Sequence, residues 1–86
     1  NQRKEAGAIY RALFQSKDLK KIYSVDETKR WVIQNIDAHP DLKTEYFEIV
    51  DGITLQAIKN WEDTTYPVGC IAVFAGNVRL IDNMIY

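Results

Sequence analysis

Apolar residues recur at three- and four-residue spacing from Gln2 to about Lys17: Ala6, Ile9, Tyr10, Leu13 and Phe14. That period places them on one stripe of an amphipathic helix, with Arg3, Lys4, Glu5, Arg11 and Gln15 mostly on the other side. Lys17 to Lys21 reads as a polar connection whose charges are solvated. A second helix is signalled by Ser24-Val25-Asp26-Glu27, a capping-box pattern. In it the serine oxygen accepts from the backbone N–H three residues on, while the glutamate reaches back. Asp26 and Glu27 also suit the positive end of the helix dipole. Val25, Val32 and Ile36 form the inward stripe, Trp31 and Ile33 widen it, and Pro40 ends the helix at or before His39.

From Leu42 the period changes. Tyr46-Phe47-Glu48-Ile49-Val50 is rich in aromatic and β-branched residues, which predicts a strand that Asp51-Gly52 stops. Ile53 to Ile58 is short and fits about one helical turn, and Asn60 to Pro67 reads as a loop. Two apolar runs follow, Val68 to Ala75 and Val78 to Tyr86, separated by Gly76-Asn77. A two-residue turn with glycine first predicts a type II′ hairpin. Pairing Ala75 with Val78 sets Val73 against Leu80, Ile71 against Asp82 and Gly69 against Met84 on one face. The other face holds Phe74 with Arg79, Ala72 with Ile81 and Cys70 with Asn83. Both faces are largely apolar, so each needs cover: the helices over one, the remaining elements or another domain over the other. The predicted fold is α+β, two N-terminal helices on a small, mainly antiparallel sheet of about three strands ending in a hairpin.

With 86 residues the chain is one small domain, residues 1–86, and its composition is ordinary for a globular protein. Eleven Lys/Arg against twelve Asp/Glu leave a net charge of −1, without the basic excess that grips a phosphate backbone. The lone Cys70 forms no internal disulfide and no metal cluster, which suits a reducing compartment. No apolar run reaches the roughly 20 residues of a membrane span, and the polar start Asn1-Gln2-Arg3-Lys4-Glu5 is no signal peptide. Lacking an initiator Met and opening directly in helical sequence, the chain reads as a piece of something larger.

Candidate chemistry is sparse. Gly7, Gly52, Gly69 and Gly76 are isolated and open no phosphate-binding loop. His39 could serve as a base, but at a helix end it reads as a partner of the dipole. Cys70 reads as a small hydrophobe, Trp31 as core, and Trp61 is open between ligand stacking and packing. Glu45 and Glu48 could imitate a carboxylate pair, yet in a regular strand they fall on opposite faces. Asp82 carries most tension, because its neighbours Ile71, Leu80 and Met84 are apolar. A carboxylate there must cap backbone, pair with a cation or reach an interface, and its replacement by alanine is expected to destabilise. Aromatic residues on the strands leave a second reading open, a small stand-alone interaction or RNA-binding module.

The ending Arg79-Leu80-Ile81-Asp82-Asn83 after the apolar strand Gly69 to Phe74 resembles the terminal hairpin of the pantoate–β-alanine ligases. Glu45-Tyr46-Phe47-Glu48-Ile49-Val50-Asp51 with Thr54-Leu55, and Gln2-Arg3, Ala6 and Ile9-Tyr10-Arg11-Ala12-Leu13, are similar to that family in order and spacing. The resemblance implies a two-domain, homodimeric cytoplasmic enzyme. It joins pantoate and β-alanine through a pantoyl adenylate, with ATP and Mg²⁺, releasing pyrophosphate and AMP. In it the N-terminal Rossmann-like domain carries the adenylylation histidine, and a Ser-Ser-Arg-Asn stretch before the hinge touches ATP. None of these motifs is present, and the surroundings of His39 differ from those of that histidine. The expectation is therefore a single C-terminal lid domain separated from its N-terminal nucleotide-binding domain. No catalytic, cofactor-binding or metal-binding residue is assigned to it, no nucleotide, nucleic acid or membrane partner is expected, and alone it should be inactive.

Overall fold

The computed structural model describes residues 2–86, with side chains from residue 7 onward. Helix α1 (Gln2–Leu19) and helix α2 (Val25–Asp37) precede strands β1 (Leu42–Asp51), β2 (Pro67–Ala75) and β3 (Val78–Ile85). The strands form one antiparallel sheet in the order β1-β2-β3, so the architecture is the expected α+β one. Both helices lie on the same face of the sheet.

Helix α1 departs from its predicted stripe. Its buried side is Ala8, Ile9, Ala12, Leu13 and Ser16, while Tyr10 and Phe14 are 51% and 55% exposed. These two rings stack on each other instead, centroids 6.0 Å apart. The seam between two close helices and a sheet favours small residues, and two alanines with Ser16 occupy it. The side chain of Ala6 lies outside the described residues. The helix also runs through Lys17 to Leu19, so the polar connection begins three residues later than its composition implied.

Helix α2 starts as the capping box requires. Glu27 donates its N–H to Ser24 Oγ at 3.1 Å, and Ser24 returns its own N–H to Glu27 Oε1 at 2.9 Å. The Ser24 backbone N–H, then its hydroxyl, holds the Glu27 carboxyl below its ordinary range. Val25, Thr28, Val32 and Ile36 are its buried residues, and Thr28 satisfies its hydroxyl on Ser24 O at 2.9 Å. Burying each aliphatic side chain of this kind stabilises by about 1.5–3 kcal/mol.

The hairpin follows the register read from sequence, from Ala75 with Val78 to Val68 with Ile85. Gly76 has φ 63° and Asn77 is not in the left-handed region, as a type II′ turn requires. Strand β1 adds on the far side, with Phe47 against Ile71 and Ile49 against Gly69. Gly69 is the place where rings approach the backbone. A Cβ there would lie 2.7 Å from the Tyr86 ring and 2.9 Å from Phe47. The core therefore sits between α1, α2 and the inner face of the sheet, around Leu13, Ile36, Phe47, Ile49, Ile71 and Val73.

Ile53 to Ile58 is not a helix, and the one i→i+4 bond there, Leu55 N–H to Asp51 O at 2.8 Å, closes a single turn at its start. Residues 52–54 make a turn closed by Asp51, whose Oδ1 accepts from Ile53 N–H at 2.7 Å and Thr54 N–H at 3.2 Å. Leu55 then takes φ 63°, and Ala57 bridges to Val50 on the outer edge of β1. The backbone N–H groups of Ile53 and Thr54 hold the Asp51 carboxyl below its ordinary range. Local carboxylate bonding wins here over a turn too short to sustain a helix.

Candidate functional site

The sheet has a second face, and no element of the described structure packs over its centre. Tyr46 and Val50 of β1, Val68, Cys70 and Phe74 of β2, and Ile81 and Ile85 of β3 share it by register. Ile81 is 64% and Ile85 52% exposed, and Tyr46 is also open. Small Ala72 is buried between its register partners Tyr46 and Ile81. The helices cover one face as expected, and of the two covers open to the other face, the remaining elements of the described chain do not supply it at its centre.

A bulge in β1 arranges the polar margin of this face. Thr44 pairs with Val73 and Tyr46 with Ala72, leaving Glu45 as an extra residue. One added residue shifts the alternation. Glu45 and Glu48 consequently lie toward the same side, which corrects the opposite-face reading of a regular strand. They still do not converge. Glu45 Oε1 accepts from Arg79 Nε at 2.7 Å, while Glu48 pairs with Lys29 of α2. The Glu45 hydrogen bond, with its charge, keeps the Arg79 guanidinium more firmly protonated. Asp37, at the end of α2, accepts the Thr44 N–H at 2.8 Å beside the bulge. A carboxylate seven residues upstream of its donor carries no signal in local patterning, so sequence reasoning missed it.

The other singled-out residues are structural in their surroundings. Trp61 donates its indole N–H to Tyr23 O at 2.9 Å, packs on the Tyr86 ring at 5.6 Å, and lies under Lys20 Nζ at 5.5 Å. Its open reading resolves to packing. Trp31 is partly buried against the core, and Cys70 is half-buried on the open face. His39 is exposed beyond the end of α2, with its backbone N–H on Ile36 O at 3.1 Å. Asp82 is half-exposed, and its Oδ1 accepts from the N–H of Asn83 at 2.8 Å. Of the three resolutions open to it, backbone capping is the one present.

Tyr86 ties the chain end to both layers. Its hydroxyl lies 2.6 Å from Ser16 Oγ, which also donates to Leu13 O at 2.5 Å, and its N–H donates to Pro67 O at 2.9 Å. Burial pushes the phenol up to about 12.

Among the described residues no three His, Cys, Asp or Glu side chains come together as a metal site. A cleft of about 590 Å³ beside the hairpin turn is lined by Pro40 to Lys43 and Phe74 to Gly76, with Asp41 and Lys43 its charged side chains. No helix in the described residues is long and apolar enough to cross a membrane. In the described residues, a two-layer α+β domain leaves one largely apolar sheet face open, and an open face of that kind marks a packing surface.

Comparison with known proteins agrees. The sequence model of pantoate–β-alanine ligase matches residues 1–85, and the chain belongs to that family. It is 52% identical over 85 residues to a pantothenate synthetase of Azobacteroides pseudotrichonymphae genomovar. CFP2. It is 54% identical over 85 residues to one of Phocaeicola vulgatus. Each match covers 99% of this chain and 30% of the relative, so the chain spans under a third of the length of the proteins it matches. A crystal structure of pantothenate synthetase from Thermus thermophilus superposes with a TM-score of 0.82 at 31% identity, covering 96% of this chain and 30% of that one.

Proposed function

We propose that this chain is the C-terminal lid domain of a cytoplasmic, homodimeric pantoate–β-alanine ligase that makes pantothenate, AMP and pyrophosphate from pantoate, β-alanine and ATP. The observation that carries the reading is the match of nearly the whole chain to 30% of relatives named pantothenate synthetase. The bare sheet face supports it, because a lid needs a surface fitted to the domain it closes upon. Ile81, Ile85 and Tyr46 form the apolar centre of that surface, and the Glu45–Arg79 pair its polar margin. The RNA-binding alternative draws no support from this face, where the guanidinium of Arg79 is taken up by Glu45.

The donors among the described residues do not converge on a site for Mg²⁺ or a nucleoside triphosphate. Among the described residues no acidic cluster converges, and no glycine-rich loop opens a helix. In this reading ATP and the metal bind to the remaining part of the protein. The chain's contribution is exclusion of water: an acyl adenylate hydrolyses readily, and a closed cover protects it while the amine attacks.

In the full-length protein, replacing Ile81 and Ile85 together by serine should lower pantothenate formation while leaving the fold intact. Unchanged turnover and unchanged release of hydrolysed pantoyl adenylate would remove the lid assignment. The 86-residue chain alone should form no pantothenate, and turnover by it would overturn the reading outright.

A further inference from the structure

The two edges of the sheet are finished differently. Along β1 the following loop covers the outer edge: Ile58 donates its N–H to Ile49 O at 3.0 Å, and Asp51 donates its N–H to Gln56 O at 2.9 Å. Among the described residues strand β3 has no such cover. Tyr86 N–H bonds to Pro67 O, and bonded residues alternate along an antiparallel pair. With the observed register, Val78, Leu80, Asp82 and Met84 turn their backbone groups toward β2. Arg79, Ile81, Asn83 and Ile85 turn theirs outward. Among the described residues the outward N–H groups of Arg79, Ile81 and Ile85 meet no acceptor, whereas that of Asn83 is held by the carboxylate of Asp82 at 2.8 Å.

We propose that Asp82 is an edge guard, which by capping the Asn83 N–H stops β3 from pairing antiparallel with β3 of a second copy of this chain. A bare strand edge is a template for such pairing, and proteins block it with charge or by occupying its hydrogen-bonding groups. The drive to pair is present, since Ile81 and Ile85 are both more than half exposed and an added strand would shield them. Asn83 is the critical position. Any run of three consecutive outward groups, from Arg79 to Asn83 or from Ile81 to Ile85, needs its N–H. Asp82 acts a second time through charge. The symmetric register that uses all four outward groups sets Asp82 directly opposite Asp82 of the other copy, and like charges in that position repel. The proposal concerns the strand edge rather than the sheet face, so it stands whether or not the lid reading does.

Two measurements on the full-length protein test it. In the wild type, the Asn83 amide should exchange about fivefold more slowly than those of Ile81 and Ile85 after correction for neighbouring residues, the protection expected of one such hydrogen bond. Asp82→Ala should sediment with a concentration-dependent species of twice the wild-type mass. Adding Asn83→Pro should abolish that species, since proline deletes the outward N–H without touching the bonds to β2. Wild-type sedimentation of a folded Asp82→Ala protein would overturn the proposal, as would association that survives Asn83→Pro. If Asp82→Ala does not fold, the exchange rates decide alone, and an Asn83 amide as fast as Ile81 overturns the guard.

Discussion

The two faces of one strand, β2, teach most about this molecule. Ile71 and Val73 on the helix side are fully buried, while Val68, Cys70 and Phe74 on the other side remain partly open. Their side chains are of the same chemical kind. What differs is the covering layer: α1 and α2 lie over one face, and no element of the described residues over the centre of the other. Stability should therefore reside on the helix face, and function on the bare one.

The largest effect that would sharpen this contrast is expected from Ile71→Ala. Truncating a fully buried aliphatic side chain leaves a cavity and should cost about 2–5 kcal/mol. Chemical denaturation measures it, and a loss no greater than at an exposed site would erase the distinction between the faces. Next comes the Tyr86 phenol, whose folded pKa is raised above the unfolded value of 10.0 to about 12. The native state then holds the proton more tightly. The stabilisation is complete below pH 10 and is lost as pH rises through 12, on the order of 2 kcal/mol in all. Tyr86→Phe should flatten that alkaline decline in a denaturation series. Ser24→Ala removes the α2 cap and should cost about 1 kcal/mol, read as a fall in melting temperature. The smallest change in stability, within about 0.5 kcal/mol, is expected for Ile81→Ser, because its side chain is already largely in water. A large destabilisation there would show that the bare face is part of the core after all.

The hairpin and the second helix were legible without coordinates because their signals are local. A glycine-first two-residue turn fixes a register, and Ser24 with Glu27 fixes a helix start within four residues. The family was legible as well, since its order of short motifs survives in this chain. The first helix misled. Ile9, Tyr10, Leu13 and Phe14 share a helical period, but periodicity does not say which flank of a broad stripe meets a neighbour. Of these four only Ile9 and Leu13 are buried, while small residues fill the flank nearest α2 and the sheet. The bulge at Glu45 was equally hidden, because an inserted residue leaves the composition of a strand unchanged while moving its carboxylate to the other side.

Patterning and capping chemistry by themselves determined the order of helices and strands, the hairpin register and the lack of a phosphate loop, because each is encoded within a few neighbouring residues. Packing in three dimensions decided that Ser16 would be buried and Phe14 exposed, that Tyr86 would join the chain end to α1, and that one apolar sheet face would stay open. Those outcomes depend on which surfaces meet across distances in sequence that no local period spans.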